Sequence, residues 1–249
     1  MNNNNNYKLI IDENALIEFV DWLPTLESSE KYFISLLARR KYNTDGSLSN
    51  LKADKNQLKR VTCTKDRIVE KIRQMETAYG SYLNAGVPIQ QENLCLYITP
   101  NPRDSYKAGI NLLKELANKI SIDDRHYNPQ SLALNCIQTS CSRKIFFDLD
   151  VDIKKDKLRS NVVTKNDILN LIKLELNKLI NNNCLNIIET NGGYHILIKV
   201  EDIDPQYNKS WYQNISKIKS DYYEITLNGD NLIPVVGCFQ GGFVPKMIK

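Results

Sequence analysis

The chain has 249 residues, of which 42% are hydrophobic and 25% charged, and a formal net charge of +4. It is long enough to bury a core, as one large domain or two smaller ones. No apolar run reaches the length of a membrane span and the N-terminus lacks the apolar core of a signal peptide, so a cytoplasmic protein with no membrane partner is expected. The six cysteines, at positions 63, 95, 136, 141, 184 and 238, include no CxxC pair and read as reduced thiols. Cys136 and Cys141, with His126 upstream, could form part of a zinc site if a further ligand joined them.

Taken in chain order, the Asn tract at positions 2–6 is low-complexity and expected to be a frayed end. Residues 13–23, 29–41, 54–60 and 65–79 are predicted as helices, with a turn-rich segment at 43–47. Between residues 31 and 73, twelve Lys or Arg face four Asp or Glu. Such a run reads as a solvated helical surface or as a basic lobe that follows a phosphate backbone.

Residues 94–99 form the first predicted strand, ended by Pro100-Asn-Pro102. A helix follows over 105–120, with a repeat through Ile110, Leu113, Leu116, Ala117 and Ile120, and a shorter one runs from Asn128-Pro-Gln-Ser131 toward Ser140. Thr164, with Asp167 three positions on, is predicted to cap a helix whose buried stripe is Ile168, Leu171, Ile172, Leu176 and Leu179. Residues 185–190 and 194–200 read as strands joined by Asn191-Gly-Gly193, a hairpin signal. A helix over 207–219 and a strand pair at 222–226 and 232–236 complete the pattern. Helices first, then mixed strands and helices, predict an α+β protein: a basic, mostly helical region at 1–90 and a mixed or antiparallel sheet covered by helices at 91–249.

The chemistry concentrates in Lys144-Ile-Phe-Phe-Asp-Leu-Asp-Val-Asp152. As a strand, this segment puts Asp148, Asp150 and Asp152 on one face and Ile145, Phe147, Leu149 and Val151 on the other. Asp is depleted in strands and like charges on one face repel, so something positive is expected over it, most simply one or two divalent metal ions. In the second hairpin strand His195 follows Gly192-Gly193, which leave the backbone bare for the close approach of a ligand. A lone histidine beside a core strand is commonly structural. With carboxylates for a metal and backbone amides for phosphate, it could instead belong to a nucleoside triphosphate site.

Phe146-Phe-Asp-Leu-Asp150 followed by Asn191-Gly-Gly-Tyr-His195 resembles the first two motifs of the archaeo-eukaryotic primase superfamily, the primase-polymerases. The segments Gly229-Asp-Asn-Leu-Ile-Pro-Val-Val-Gly237 and Cys238-Phe-Gln-Gly-Gly-Phe-Val-Pro-Lys246 look like its third motif, and Tyr97-Ile-Thr-Pro-Asn-Pro-Arg103 like its early phosphate-binding strand. The resemblance spans about residues 94–246 and implies an RRM-like palm. It further implies a DNA-dependent primase or polymerase using two Mg²⁺ or Mn²⁺ ions on Asp148, Asp150 and Asp230, with Asp221 as the alternative third acid. His195, Arg103, Lys107, Gly192, Gly193 and Lys246 would contact the incoming nucleotide.

Implied partners are a single-stranded DNA template, nucleoside triphosphates and a separate replicative helicase, and the implied setting is a virus or mobile element in the host cytoplasm. Tyr32, Tyr42 and Tyr79 either stack on bases or are buried in the core. Thr190 and Asn191 stand where many members have Ser-Gly, and Lys246 and Lys249 replace the usual Arg of the third motif. Three rivals remain: a non-catalytic primase-like nucleic-acid-binding subunit, a structural protein with an incidental acid cluster, and a DxD phosphatase, which expects Thr or Val where this chain has Asp152.

Overall fold

Residues 30–39 (Glu-Lys-Tyr-Phe-Ile-Ser-Leu-Leu-Ala-Arg) are buried almost without interruption, and they form a strand where a helix was predicted. A continuous apolar run carries no period, so it fits a strand covered on both faces as well as a buried helix. The computed structural model describes residues 6–43, 46, 48, 55–154 and 163–248. The Asn tract at 2–5, Lys249, position 54 and positions 44, 45 and 47 of the predicted turn lie outside them.

The chain forms two compact units. Residues 1–144 and 232–245 make the first, and residues 145–231 and 246–249 the second; the boundary expected at residue 90 falls inside the first.

The first unit opens with helix α1 (Glu13–Trp22), capped by the Asp12 side chain. Strand β1 (Glu30–Arg39) is followed by β2 (Lys55–Cys63), helix α2 (Ile68–Arg73), and the hairpin β3 (Leu83–Asn84) and β4 (Val87–Pro88). Then come β5 (Leu94–Ile98), β6 (Arg103–Asp104), α3 (Ser105–Ser121) and α4 (Pro129–Thr139). Strands β1, β2 and β5 form an antiparallel sheet, with β2 at its edge. Lysines on such an edge discourage pairing with another chain.

The helices predicted at 29–41 and 54–60 are therefore strands, and the one at 65–79 shrinks to a 3₁₀ turn and the six residues of α2. The basic stretch is consequently no helical lobe. Several of its charges are used locally: Arg60 donates to Asn135 and Ser131, Arg67 pairs with Glu70, and Arg73 pairs with Glu13. Buried Glu30 accepts two bonds from the Arg143 guanidinium, at 2.9 and 2.8 Å, which holds its carboxyl down to about 2. Tyr32 is buried and donates to the Pro24 carbonyl, so it offers no face for stacking.

Helix α3 forms where predicted, with Asp104 accepting from the Tyr106 and Lys107 amides. Of its predicted repeat, Ile110, Leu113, Ala117 and Ile120 are exposed and Leu116 is half-buried, because Ala108 and Asn111 lie toward α4 instead.

The second unit contains β7 (Phe146–Ile153), α5 (Lys165–Asn177), β8 (Leu185–Glu189), β9 (Gly193–Lys199), α6 (Trp211–Ile215) and β10 (Tyr223–Gly229). Strand β11 (Ile233–Pro234) returns to the first unit, and β12 (Lys246–Ile248) ends in the second. Its antiparallel sheet runs β10-β7-β9-β8-β12. The face carrying Leu149, Val151, Ile196 and Ile198 packs against Ile168, Leu169, Ile172 and Leu176 of α5. A Thr164–Asp167 capping box starts α5 as predicted, although Leu171 points out and Leu169 takes a place inside.

Strands 222–226 and 232–236 do not pair with each other. Strand β10 joins β7, whereas β11 joins β5 of the first unit. Gly229, in the left-handed region at φ +67°, ends β10 ahead of that departure. The helix predicted over 207–219 is only the five residues of α6, preceded by turns.

The fold is thus α+β with antiparallel sheets and helices, as expected, but its N-terminal part is sheet-rich. Among the described residues no helix is long and apolar enough to cross a membrane.

One glycine fixes how β9 lies on β7. A Cβ on Gly193 would stand 1.8 Å from the Val151 carbonyl oxygen. Gly193→Ala is therefore expected to destabilise the second unit by about 2 kcal/mol or more, read as a lower midpoint in urea unfolding. An unchanged midpoint would contradict this.

Candidate functional site

Strand β7 is central in its sheet, with β9 on one side and β10 on the other. Its alternation places Asp148, Asp150 and Asp152 on the face opposite α5, as read from the sequence. The register sets His195 directly across from Asp150, Leu197 across from Asp148 and Gly193 across from Asp152. Asp148 is fully buried, the Asp150 side chain is 35% exposed, and Asp152 is open to solvent.

The positive partner of this face comes from the protein itself. His195, 7% exposed, donates from Nδ1 to the Asp148 carboxylate, whose two oxygens each lie 3.0 Å away. Its Nε2 lies 3.8 Å from Asp150 Oδ1. Burial alone would lower the histidine pKa. The Asp148 carboxylate, by charge and hydrogen bond, then Asp150 and Asp152, outweigh it and raise the value above the ordinary one. Both acids therefore favour the protonated form of the imidazole that lies beside them. Asn228 Nδ2 donates to the other Asp150 oxygen at 3.3 Å.

This arrangement corrects the expectation of two Mg²⁺ or Mn²⁺ ions. Among the described residues no group of three or more His, Cys, Asp or Glu side chains is arranged to hold a metal ion. The physical reason is visible at Asp148, whose oxygens both face the imidazole. The ring Nδ1 is engaged by Asp148, and the acids favour a positive charge on the imidazole that meets part of what this face requires. Nor do Cys136, Cys141 and His126 come together with a further ligand among the described residues, so the suggested zinc site does not form there. Cys136 is buried, and Cys141 Sγ donates to the Arg143 carbonyl at 3.4 Å.

The remaining predicted site residues are spread more widely. Gly229 lies across from Asp148, so Asp230 follows β10 at the Asp148 end of the acid strand. Asp221 precedes β10 at the opposite end, where Tyr223 faces Ile153. The Gly192 carbonyl accepts from the Ile153 amide at 3.0 Å, and Gly193 is explained by the close Val151 carbonyl, so both glycines have work within the sheet. Lys246 faces Glu189, which faces Tyr194, which faces Val151, and this register puts it on the α5 side of the sheet. Arg103 is buried on β6 and Lys107 lies exposed on α3, where its Nζ donates to the Cys141 carbonyl at 3.1 Å; both belong to the first unit.

Two contributors escaped the sequence reading. Asn228 carries no motif of its own, and its signal is the period of two that brings β10 against the acid strand. Lys165 pairs with Glu189 at 2.9 Å and donates to the Thr190 carbonyl, which ties the start of α5 to the hairpin. Thr190, in the Ser position of the primase-like motif, accepts from the Gly193 amide at 3.2 Å. Its hydroxyl therefore shapes the turn. Compared with protein families, curated proteins and solved structures, the chain matches none.

A histidine whose pKa is raised on folding stabilises the native state fully below its unfolded pKa, and that contribution disappears as pH rises through the folded value. The unfolded value is near 6.5, so the loss begins at neutral pH and continues above it. In urea unfolding between pH 6 and 9, the wild type is expected to lose more stability than His195→Gln. Parallel pH profiles of the two proteins would contradict this.

Proposed function

We propose that the chain is a primase-polymerase-like nucleic-acid-binding protein, in which the motif acids serve the architecture of the palm-like sheet instead of metal-dependent nucleotidyl transfer. The observation that carries this reading is Asp148, buried and closed by His195 across the two strands that bear the primase-like motifs. The order of those motifs and their antiparallel adjacency support the kinship. The closed carboxylate supports binding over catalysis.

Charge directs where a polynucleotide would bind. Three aspartates against one histidine leave the face of β7 acidic, which repels phosphate. The net charge of +4 resides elsewhere, and the basic stretch between residues 31 and 73 holds its largest local excess. Within it Arg40, Lys41 and Lys59 are exposed, the last of them on the edge strand β2. Cations so placed can follow a single-stranded backbone, with affinity that falls as salt rises.

Fluorescence anisotropy with a labelled single-stranded DNA tests the reading. Binding is expected, weakening with added salt, and Lys41→Glu/Lys59→Glu is expected to reduce it by roughly tenfold. The same preparation should make and extend no primer with either Mg²⁺ or Mn²⁺. Salt-dependent binding that the double variant leaves intact, or the absence of binding, would overturn the assignment of the surface. Primer extension lost in Asp148→Ala would overturn the non-catalytic reading.

A further inference from the structure

The chain holds two Asn-Gly pairs, Asn191-Gly192 and Asn228-Gly229. Asparagine is chemically labile, and most so before glycine, which puts no Cβ in the way when its amide nitrogen turns toward the asparagine side chain. The two pairs stand in different surroundings. Asn228 is half-buried where β10 shifts register on β7, and its Nδ2 donates to Asp150 at 3.3 Å. Asn191 is exposed at the tip of the hairpin between β8 and β9. Thr190 and Gly193 close that tip: the Thr190 amide donates to the Gly193 carbonyl at 2.9 Å, and the Gly193 amide to the Thr190 hydroxyl at 3.2 Å. Asn191 and Gly192 thus lie outside the strand ladder, and the Gly192 amide donates to no acceptor among the described residues.

We propose that Asn191 is a site of spontaneous deamidation, a modification that turns the neutral tip of the hairpin into an acidic one. The Gly192 nitrogen forms a bond to Asn191 Cγ and gives up its proton, and the side-chain nitrogen leaves as ammonia. A cyclic succinimide results. Water then adds to either ring carbonyl and breaks the bond from that carbon to the Gly192 nitrogen. Opening at Cγ leaves an aspartate at position 191. Opening at the main-chain carbonyl leaves an isoaspartate, whose main chain is longer by a methylene. Water is the only co-reactant.

The surroundings give this change a consequence. A Cβ on Gly192 would lie 3.3 Å from Asp152 Oδ1, so the tip stands beside the acid strand and a new carboxylate there adds to its charge. Gly193 has no room for a Cβ against the Val151 carbonyl, so a lengthened main chain meets a hairpin with little room to shift. The site lies wholly in the second unit and is independent of the nucleic-acid reading.

Incubation of the full chain in warm, mildly alkaline buffer, followed by peptide mapping with mass spectrometry, tests the proposal. The peptide that holds Asn191 is expected to gain about 1 Da, partly as isoaspartate, roughly tenfold faster than the peptide that holds Asn228. Gly192→Ala is expected to slow the gain about tenfold. Its Cβ meets only the end of the Asp152 side chain, so its thermal melt should match that of the wild type. Asn191→Gln should leave the mass of that peptide unchanged. An Asn191 peptide that gains no mass in the wild type, conversion at Asn228 that is as fast, or a Gly192→Ala variant that converts like the wild type would overturn the site.

Discussion

The imidazole of His195, held between Asp148 and Asp150, is the interaction on which the second unit depends. A strand carrying three aspartates on one face cannot sit at the centre of a sheet unless its charge is met. The Asp148 carboxylate, with no solvent exposure, would cost several kcal/mol if it were left unpaired. The antiparallel register answers this by setting His195 opposite Asp150 and within hydrogen-bond reach of Asp148. Removing either partner leaves a buried charge alone, a change that typically costs roughly 3–5 kcal/mol. Asn228 and the close-lying Gly193 complete the arrangement, one by holding Asp150 and the other by letting the strands approach.

That network changes what the acid strand signifies. Carboxylates two residues apart on a strand invite a divalent cation because their repulsion needs a counter-charge. The requirement is satisfied equally well by a cation that the fold supplies. A histidine buried beside the pair, its pKa raised by them, offsets part of their charge and engages the buried carboxylate of Asp148. The exposed basic residues of the first unit then become the better place to look for contact with a polynucleotide.

Much of the second unit was legible from the sequence. The Thr164–Asp167 cap, the Asn191-Gly-Gly193 turn and the alternation of β7 are local signals, and each depends on residues within a few positions of one another. The Asp148–His195 contact was foreseeable only in part: the sequence suggested the neighbouring strands, but not that the ring would close on the acid it was expected to assist. The first unit was less legible. Strand β1 is buried at nearly every position and so shows no alternation to read, while β2 is an edge strand of mixed polar residues whose identity comes from pairing with β1. In α3 the repeat was correctly helical, but periodicity cannot say whether an apolar stripe turns to its own core or away from it. Strand β11 shows the same limit, since its partner β5 lies far back in the sequence.

The central claim is that His195, its pKa raised by Asp148 and Asp150, is the partner that meets the charge of the acid strand. Side-chain ¹⁵N NMR of the histidine rings, with His126 distinguished by substitution, tests it most directly across a pH titration. The account predicts that the His195 ring titrates above the ordinary value of 6.5, and that Asp148→Asn lowers its midpoint. A midpoint at or below 6.5, or one that Asp148→Asn leaves unmoved, would contradict it.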